Sequence, residues 1–431
     1  MLTIGLQHVG GDDWMGGTYY LHNLARALRT LPKSERPRTV VVLTSPGDRR
    51  YYEDIASIVD GLDGSDGALA DLAAGSGGLG RSIRETLGRS ERATYGVRRI
   101  KRALGRDVNH PLEQRLQRAG VSVLFPCIRS MGAGFTVPWL AWAWDFQHKY
   151  LPDYFSKTQL RATNQTFADL AADARLIVTS SADALEDFDR YYPGVRDKLR
   201  VLRFRTVPEE DWFAGDVEAV RARHHLPPKY LVLPNQFWVH KNHRVAFEAM
   251  RLLSRKRLDV VLACTGRTED FRHPRHAAEL IEFIEENDLR QRIRILGLLP
   301  RHEQIQVIRG ASAVVQPSLF EGWSTVVEDA RALGKRLFLS DIAVHREQDP
   351  PGAVYFDPAD PSALAKAIAD LWDELPAGPD RAWEEEARGR QRGLVADYAR
   401  TFLEIARELL SVWERSGSKK THGTPAPGTR Q

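Results

Sequence analysis

Two α/β domains, each wound on both faces of its own parallel sheet, are what this sequence predicts, and two observations carry that expectation. Short apolar runs alternate with amphipathic helical stretches along the chain, the pattern of parallel strands joined by crossover helices. A chain of 431 residues is also too long for one hydrophobic core, and two units of about 200 residues fit the usual limit. In the first half the expected strands are Leu2–Gln7, Thr39–Thr44, Val121–Phe125, Pro138–Ala143, Arg175–Thr179 and Arg200–Phe204. In the second half they are Tyr230–Pro234, Asp259–Cys264, Arg292–Leu296, Ala313–Gln316, Arg336–Ser340 and Val354–Phe356. Each set suffices for a doubly wound sheet. The polar stretch from Thr206 to Pro228, with Pro208, Pro227 and Pro228, reads as the bridge between them.

Composition narrows the class. Hydrophobic content of 42% and charged content of 27% are those of a soluble globular protein. A net charge of +4 does not mark a nucleic-acid binder. Cys127 and Cys264 sit far apart among apolar residues and read as reduced, buried thiols. The N-terminus lacks a basic leader, and the richest apolar run, Val137 to Trp144, is too short to span a bilayer. The expected location is the cytoplasm, at most peripheral to a membrane. Eleven Lys or Arg fall between Arg81 and Ala119; a basic amphipathic insertion on an anionic membrane and a solvated helical insertion both fit. The Ser/Gly/Thr/Pro/Lys-rich tail 417–431 is expected to be disordered. No Cys pair, His-Glu-x-x-His or calcium loop supplies metal-ligand spacing. Asp187-Phe188-Asp189 reads as part of a solvated helix face.

The most informative segment is Pro317-Ser318-Leu319-Phe320-Glu321-Gly322-Trp323-Ser324-Thr325-Val326-Val327-Glu328-Asp329-Ala330-Arg331-Ala332-Leu333-Gly334. An apolar strand runs into a turn carrying Glu321 and Gly322, and a helix with two more acids follows until Gly334 closes it. Unpaired N–H groups at such a helix start favour a phosphate. Carboxylates seven or eight residues apart can accept hydrogen bonds from hydroxyls at two ends of one polyol. In its order of Pro-Ser, Glu-Gly-aromatic, acid-Ala and Gly, the segment resembles the donor-sugar signature of glycosyltransferase family 4. The family's second Glu falls on Asp329. Glu328 is one residue short, and adjacent helical residues point about 100° apart. Asp329 is the favoured second acid, with Glu328 the alternative.

The resemblance covers nearly the whole chain and implies the GT-B architecture, two facing Rossmann-like domains with a cleft between them. It implies an acceptor domain over 1–210 with the basic insertion at about 81–119, and a sugar-nucleotide donor domain over 211–395. A helix at 396–416 would then cross back to the first domain. Gly16 and Gly17, after Gly10 and Gly11 in the first strand-to-helix turn, look like the family's Gly-Gly loop near the donor phosphates. In Asn235-Gln236-Phe237-Trp238-Val239-His240-Lys241-Asn242-His243, Lys241 matches a family cation that grips the donor diphosphate. The family's Arg, five residues earlier, is Gln236 here, so either His240, His243 or Arg244 compensates or the grip differs. Asp145 and His148 follow a very apolar strand, where α/β sheets place ligands; in related sequences this loop faces the donor sugar and can orient the acceptor hydroxyl. Ser180 and Ser181 read as helix caps. Glu347 is a second-tier candidate on a loop that follows the donor helix in the family.

The resemblance implies a retaining, mannosyltransferase-like hexosyltransferase acting in glycan, polysaccharide or glycolipid biosynthesis. Glu321 would orient the donor sugar, with Gly322, Trp323, Ser324 and Thr325 shaping the donor turn. Lys241 and the helix start would stabilise the leaving diphosphate, and Asp329 or Glu328 would hold the ribose. The donor would be a nucleotide-sugar and the acceptor a sugar or lipid-linked sugar, with peripheral contact to an anionic membrane, no nucleic acid, no cofactor and no metal. Two alternatives stay open: a sugar-nucleotide 2-epimerase or hydrolase on the same scaffold, and a catalytically dead binding or scaffold homologue.

Overall fold

The computed structural model describes residues 1–12, 14–63, 110–132, 134–270 and 272–418. The basic stretch expected at about 81–119 therefore lies outside the described residues as far as 109, and the expected tail lies outside them from 419. The end of the basic stretch is the helix His110–Arg118. There Arg115 pairs with Asp63 at 3.3 Å and donates to the Leu43 carbonyl at 3.1 Å.

Apolar runs bounded by turns become strands because both faces of a parallel sheet are covered. The first sheet holds β1 (Thr3–Gln7), β2 (Arg38–Val42), β3 (Gly61–Asp63), β4 (Val123–Cys127), β5 (Trp139–Ala143), β6 (Ile177–Thr179) and β7 (Leu199–Val201). Its order is β3-β2-β1-β4-β5-β6-β7. The second holds β8 (Leu231–Leu233), β9 (Leu262–Thr265), β10 (Ile293–Gly297), β11 (Ala313–Gln316), β12 (Arg336–Ser340) and β13 (Ala353–Phe356), in the order β10-β9-β8-β11-β12-β13. All pairings are parallel. Eleven of the expected strands hold apart from shifts at their ends, and Asp259–Cys264 moves on to Leu262–Thr265. The edge strand β3 escapes a reading by apolar pattern, because Gly61-Leu62-Asp63 is short and only half-buried.

Strand order reverses between β1 and β4 in one sheet and between β8 and β11 in the other. Those are the points where open α/β sheets leave a crevice beyond the strand ends. Each sheet is sandwiched by two apolar clusters, the first around Ile4, Leu24 and Phe402 and around Leu124, Trp139 and Phe167. The second has Leu231, Phe247 and Phe338 on one face and Tyr230, Val314 and Ile308 on the other.

The last helix, Arg381–Ser418, starts well before 396. Residues 381–395, expected in the second domain, are its first turns. Its early residue Glu384 is tied to Arg309 in the second domain, whereas Val395, Tyr398, Phe402 and Leu409 fill the core of the first. One continuous helix therefore joins the two domains. The Asp187 reading is corrected: its side chain is 3% exposed, accepts from the Tyr150 hydroxyl at 2.5 Å and lies 3.5 Å from Arg190.

The Arg309–Glu384 pair is bidentate, at 2.7 and 3.2 Å, with side chains only 0% and 5% exposed. Removing one partner of such a pair leaves an uncompensated buried charge, which costs about 3–5 kcal/mol. Glu384→Ala should lower unfolding stability by that order in a denaturant titration. A loss below about 1 kcal/mol, the size expected of an exposed ion pair, would show Arg309 finding other compensation.

Candidate active site

The loops that leave β8 and β11, neighbours at the reversal point of the second sheet, meet at Glu321. Its Oε1 accepts from Lys241 Nζ at 2.6 Å, Ser318 Oγ at 2.7 Å and Gln316 Nε2 at 2.8 Å. Lys241 sits on a single turn, Val239–Lys241, that the left-handed Asn242 (φ 55°) ends. Asn242 in turn donates to the carbonyls of Pro317 (3.1 Å) and Pro358 (2.9 Å), tying the Lys241 turn to the Glu321 loop. Asn235 Nδ2 donates to Gln316 Oε1 at 2.6 Å, which aims the Gln316 amide N–H at Glu321, Ser318 and Ser324. Burial alone would raise the Glu321 carboxyl; the neighbouring Lys241 ammonium, then His345 and Ser318, hold it below the usual range. Glu321 is thus a charged, oriented acceptor.

The first domain closes over this cluster. A side-chain carbon at Gly322 would lie 2.3 Å from the Trp144 carbonyl oxygen and 2.6 Å from Asp145 Cβ. Only glycine permits that approach of the two domains. Asp145 accepts from the Gln147 N–H at 3.0 Å. Burial pushes its carboxyl up to about 6, opposed by that N–H and assisted by the charge of Glu321. Trp323 crosses the boundary, joining the first domain's core and donating to the Phe204 carbonyl at 2.9 Å. Ser324 caps the helix Thr325–Ala332, and the first N–H groups of that helix have no intrahelical partner.

The two adjacent acids separate as helical geometry demands. Glu328, with a side chain 0% exposed, pairs with Arg205 at 3.0 Å and accepts from Gln348 Nε2 at 3.0 Å. Asp329 accepts from Thr206 Oγ1 at 2.9 Å and pairs with Arg301 at 2.7 Å. The Arg301 guanidinium lies 4.8 Å from the Tyr19 ring, on the first-domain helix Met15–Thr30 that begins at Gly16 and Gly17. Both acids thus reach the stretch that follows β7, Asp329 through Thr206 and Glu328 through Arg205, and Asp329 alone pairs with Arg301, which lies against Tyr19. The left-handed positions of the glycine turn before that helix are Gly10 (φ 101°) and Gly11 (φ 118°), and a side-chain carbon at Gly17 would lie 3.1 Å from the Gly10 α-carbon.

Several expected site residues point elsewhere. His148 bonds Asn164 Oδ1 at 3.1 Å and packs between Phe146 and Phe167, and burial lowers its pKa to about 4. It is held inside the first domain. Gln236 Oε1 accepts the Arg267 N–H at 2.7 Å. His243 is buried against Phe237, with ring centroids 4.1 Å apart, and Arg244 pairs with Glu248 at 2.6 Å. Neither replaces the missing arginine. His240 is buried beneath the Lys241 turn. Both carboxylate oxygens of Glu347 accept the Ala182 N–H at 2.9 Å, at the start of the helix Ala182–Tyr191, and Arg203 pairs with it at 2.7 Å. Glu347 is an interdomain clamp. Ser181 caps that same first-domain helix, accepting from the Ala184 N–H at 3.0 Å.

Residues 217–390 match the family model described as glycosyl transferases group 1. The chain is 27% identical over 122 residues to alpha-maltose-1-phosphate synthase of Mycolicibacterium smegmatis, covering 27% of this chain and 31% of that protein. It is 26% identical over 147 residues to the O-antigen chain mannosyltransferase RfbU of Salmonella typhimurium, covering 34% of this chain and 39% of that one. The matches thus span 31% and 39% of the lengths of these two relatives. Over the whole fold, the crystal structure of Anabaena Alr3699/HepE in complex with UDP and glucose superposes with a TM-score of 0.57 at 14% identity, covering 98% of this chain and 100% of that one. The architecture is GT-B.

The site generates a pH prediction through Asp145. Its native pKa stands above its unfolded value near 4, so the native state binds the extra proton between about pH 4 and about 6. Stability contributed by protonated Asp145 is present below that window and lost as pH rises through it. Asp145→Asn removes the titration. Denaturant melts should show the variant gaining on the parent from about pH 4 to about 6, with a constant difference at higher pH. A pH-independent difference would place Asp145 in water.

Proposed function

We propose that this protein is a retaining glycosyltransferase that moves a hexose from a nucleotide-sugar to an acceptor hydroxyl during glycan, polysaccharide or glycolipid synthesis. The observation that carries the reading is the Lys241–Glu321 pair, at 2.6 Å, at the sheet's reversal point and under the Asp145 loop of the opposite domain. A mannosyltransferase is among the relatives, and UDP and glucose occupy a structural neighbour, which supports a hexose donor carried on a nucleoside diphosphate.

On this reading the β-phosphate meets Lys241 and the start of the Thr325–Ala332 helix, which together stabilise charge developing on the leaving group. Glu321 accepts from donor sugar hydroxyls, and Asp329 from the ribose. Asp145, packed on Gly322, orients the acceptor from the first domain. Retention follows from front-side attack, with a diphosphate oxygen taking the acceptor proton; the proposal assigns charge neutralisation to these groups and needs no metal or cofactor. The acceptor is a sugar or a lipid-linked sugar. None of the described helices is long and apolar enough to cross a membrane.

Transfer should fall at least a hundredfold in Glu321→Gln while the melting temperature stays close to the parent's. The amide keeps the shape and loses a charge-assisted acceptor that strengthens toward the transition state. Near-normal transfer in a folded variant would exclude the role. The neighbouring acids should behave differently. Asp329→Asn should raise the donor KM several-fold. Glu328→Gln should chiefly lower the melting temperature, because Arg205 loses its buried partner. Steady-state kinetics and thermal melts of both variants check the assignment, and the reverse order would move the ribose to Glu328.

A further inference from the structure

Gln236 stands where the family pattern has an arginine, and its side chain is spent on the Arg267 N–H at 2.7 Å. A second cation nevertheless reaches the Lys241 turn, from a different loop. Asp270, with a side chain 1% exposed, accepts from the Val239 N–H at 3.4 Å through one oxygen. Through the other it accepts the Arg272 N–H at 3.0 Å and Nε at 3.3 Å. One carboxylate thus fixes Arg272 against the turn Val239–Lys241. The guanidinium lies 5.4 Å from the Trp238 ring and 5.5 Å from the ring of Phe155 in the opposite domain. Its Nη1 reaches Gln147 Oε1 at 3.5 Å, two residues from Asp145. The turn itself carries His240, a buried ring whose Nδ1 has no hydrogen-bond partner among the described residues. The positive charge of Arg272 is felt at both Asp145 and His240, where Lys241 is felt as well. By contact, Asp270 ties Arg272 to the turn that carries Lys241, and Gln147 ties it to the Asp145 loop that packs on Gly322, next to Glu321.

We propose that Arg272 is the second diphosphate-gripping cation of this protein, replacing from the loop after β9 the arginine that Gln236 lacks. The inference rests on the donor-site reading above and adds to it which residue completes the grip. A guanidinium presents a planar pair of N–H donors suited to two phosphate oxygens, where an ammonium acts as a point charge. Trp238 and Phe155 flank the guanidinium, and Asp270 sets its direction. Phe155 and Gln147 belong to the first domain, so the guanidinium also touches the opposite side of the cleft.

Calorimetric binding of UDP, GDP, ADP and dTDP, each beside its nucleoside, tests the assignment in the full chain, with circular dichroism as a fold check. Arg272→Ala should weaken the nucleoside diphosphate that the parent prefers at least tenfold, leave the matching nucleoside within twofold, and recover only in part as Arg272→Lys. If the alanine variant fails to fold, Arg272→Gln carries the same expectation. Lys241→Ala is the marker for the donor site. A selective loss of diphosphate in Lys241→Ala with parent-like binding in Arg272→Ala would overturn the Arg272 assignment and leave the donor site standing. Equal loss of diphosphate and nucleoside in Arg272→Ala would also overturn it, leaving Arg272 as a support for the loop. A parent that binds none of the four nucleoside diphosphates would overturn the donor-site reading along with it.

Discussion

The burial of one carboxylate organises the second domain's face of the cleft. Glu321 and Lys241 have side chains only 9% and 14% exposed. Desolvating such an ion costs several kcal/mol unless charge and hydrogen bonds offset it. The offset comes from the turn after β8 through Lys241, from the end of β11 through Gln316, and from the loop between through Ser318. Those groups converge only because β8 and β11 pair in parallel, Leu231 with Ala313 and Val232 with Val314. The next strand adds its share, since Ser340 Oγ at the end of β12 donates to the Ser318 carbonyl at 2.6 Å. A slip of one residue between these strands would turn every side chain to the other face and scatter the cluster.

The same loop makes the cleft a contact between domains. Gly322 lets the Trp144–Asp145 backbone approach, and Trp323 then plugs into the first domain's core. Further along, the carboxylates of Glu328 and Glu347 each reach an arginine just after β7, Arg205 and Arg203. Glu347 also caps a first-domain helix, where a negative charge is favoured by the unpaired N–H groups and the dipole. Glu328 and Glu347 therefore hold the two domains together here. Asp329 is paired as well, with Arg301 and Thr206, and differs from Glu328 in that its arginine lies against Tyr19.

What the sequence disclosed, and what it withheld, follows from the range of the interactions. Strands and their alternation with helices depend on local apolar runs, so both sheets were legible except β3, whose three residues carry no apolar pattern. Glu321 and Gly322 stand out in one short segment and Lys241 in another, but only the fold brings the two charges together, across 80 residues of chain. The His148 assignment went astray because a histidine after a strand looks the same whether it faces the cleft or, as here, Asn164. The solvated reading of Asp187 missed Tyr150, 37 residues away, whose hydroxyl covers it. Arg272 carried no signal: it meets the Lys241 turn through Asp270, across 31 residues of chain from Val239. Nor did Arg301, whose partner Asp329 lies on another element. The start of the last helix was misplaced because its first turns hold the buried pair Arg309–Glu384, and one half of that pair is invisible from the other in sequence.

The Lys241–Glu321 pair also sets the terms on which a ligand enters. Each charge satisfies the other at 2.6 Å, so on the donor-site reading a nucleotide-sugar that takes Lys241 with its diphosphate must give Glu321 something in return. Sugar hydroxyls are suited to that exchange, because they donate to the carboxylate while the phosphate takes the ammonium. A free diphosphate could satisfy Lys241 but would leave Glu321 buried with hydrogen bonds from Gln316 and Ser318 and no ammonium partner, a costly state for a carboxylate. On that reading the complete ligand replaces both halves of the pair and the product only one. On the donor-site reading, this asymmetry favours binding of intact nucleotide-sugar and release of the nucleoside diphosphate after transfer.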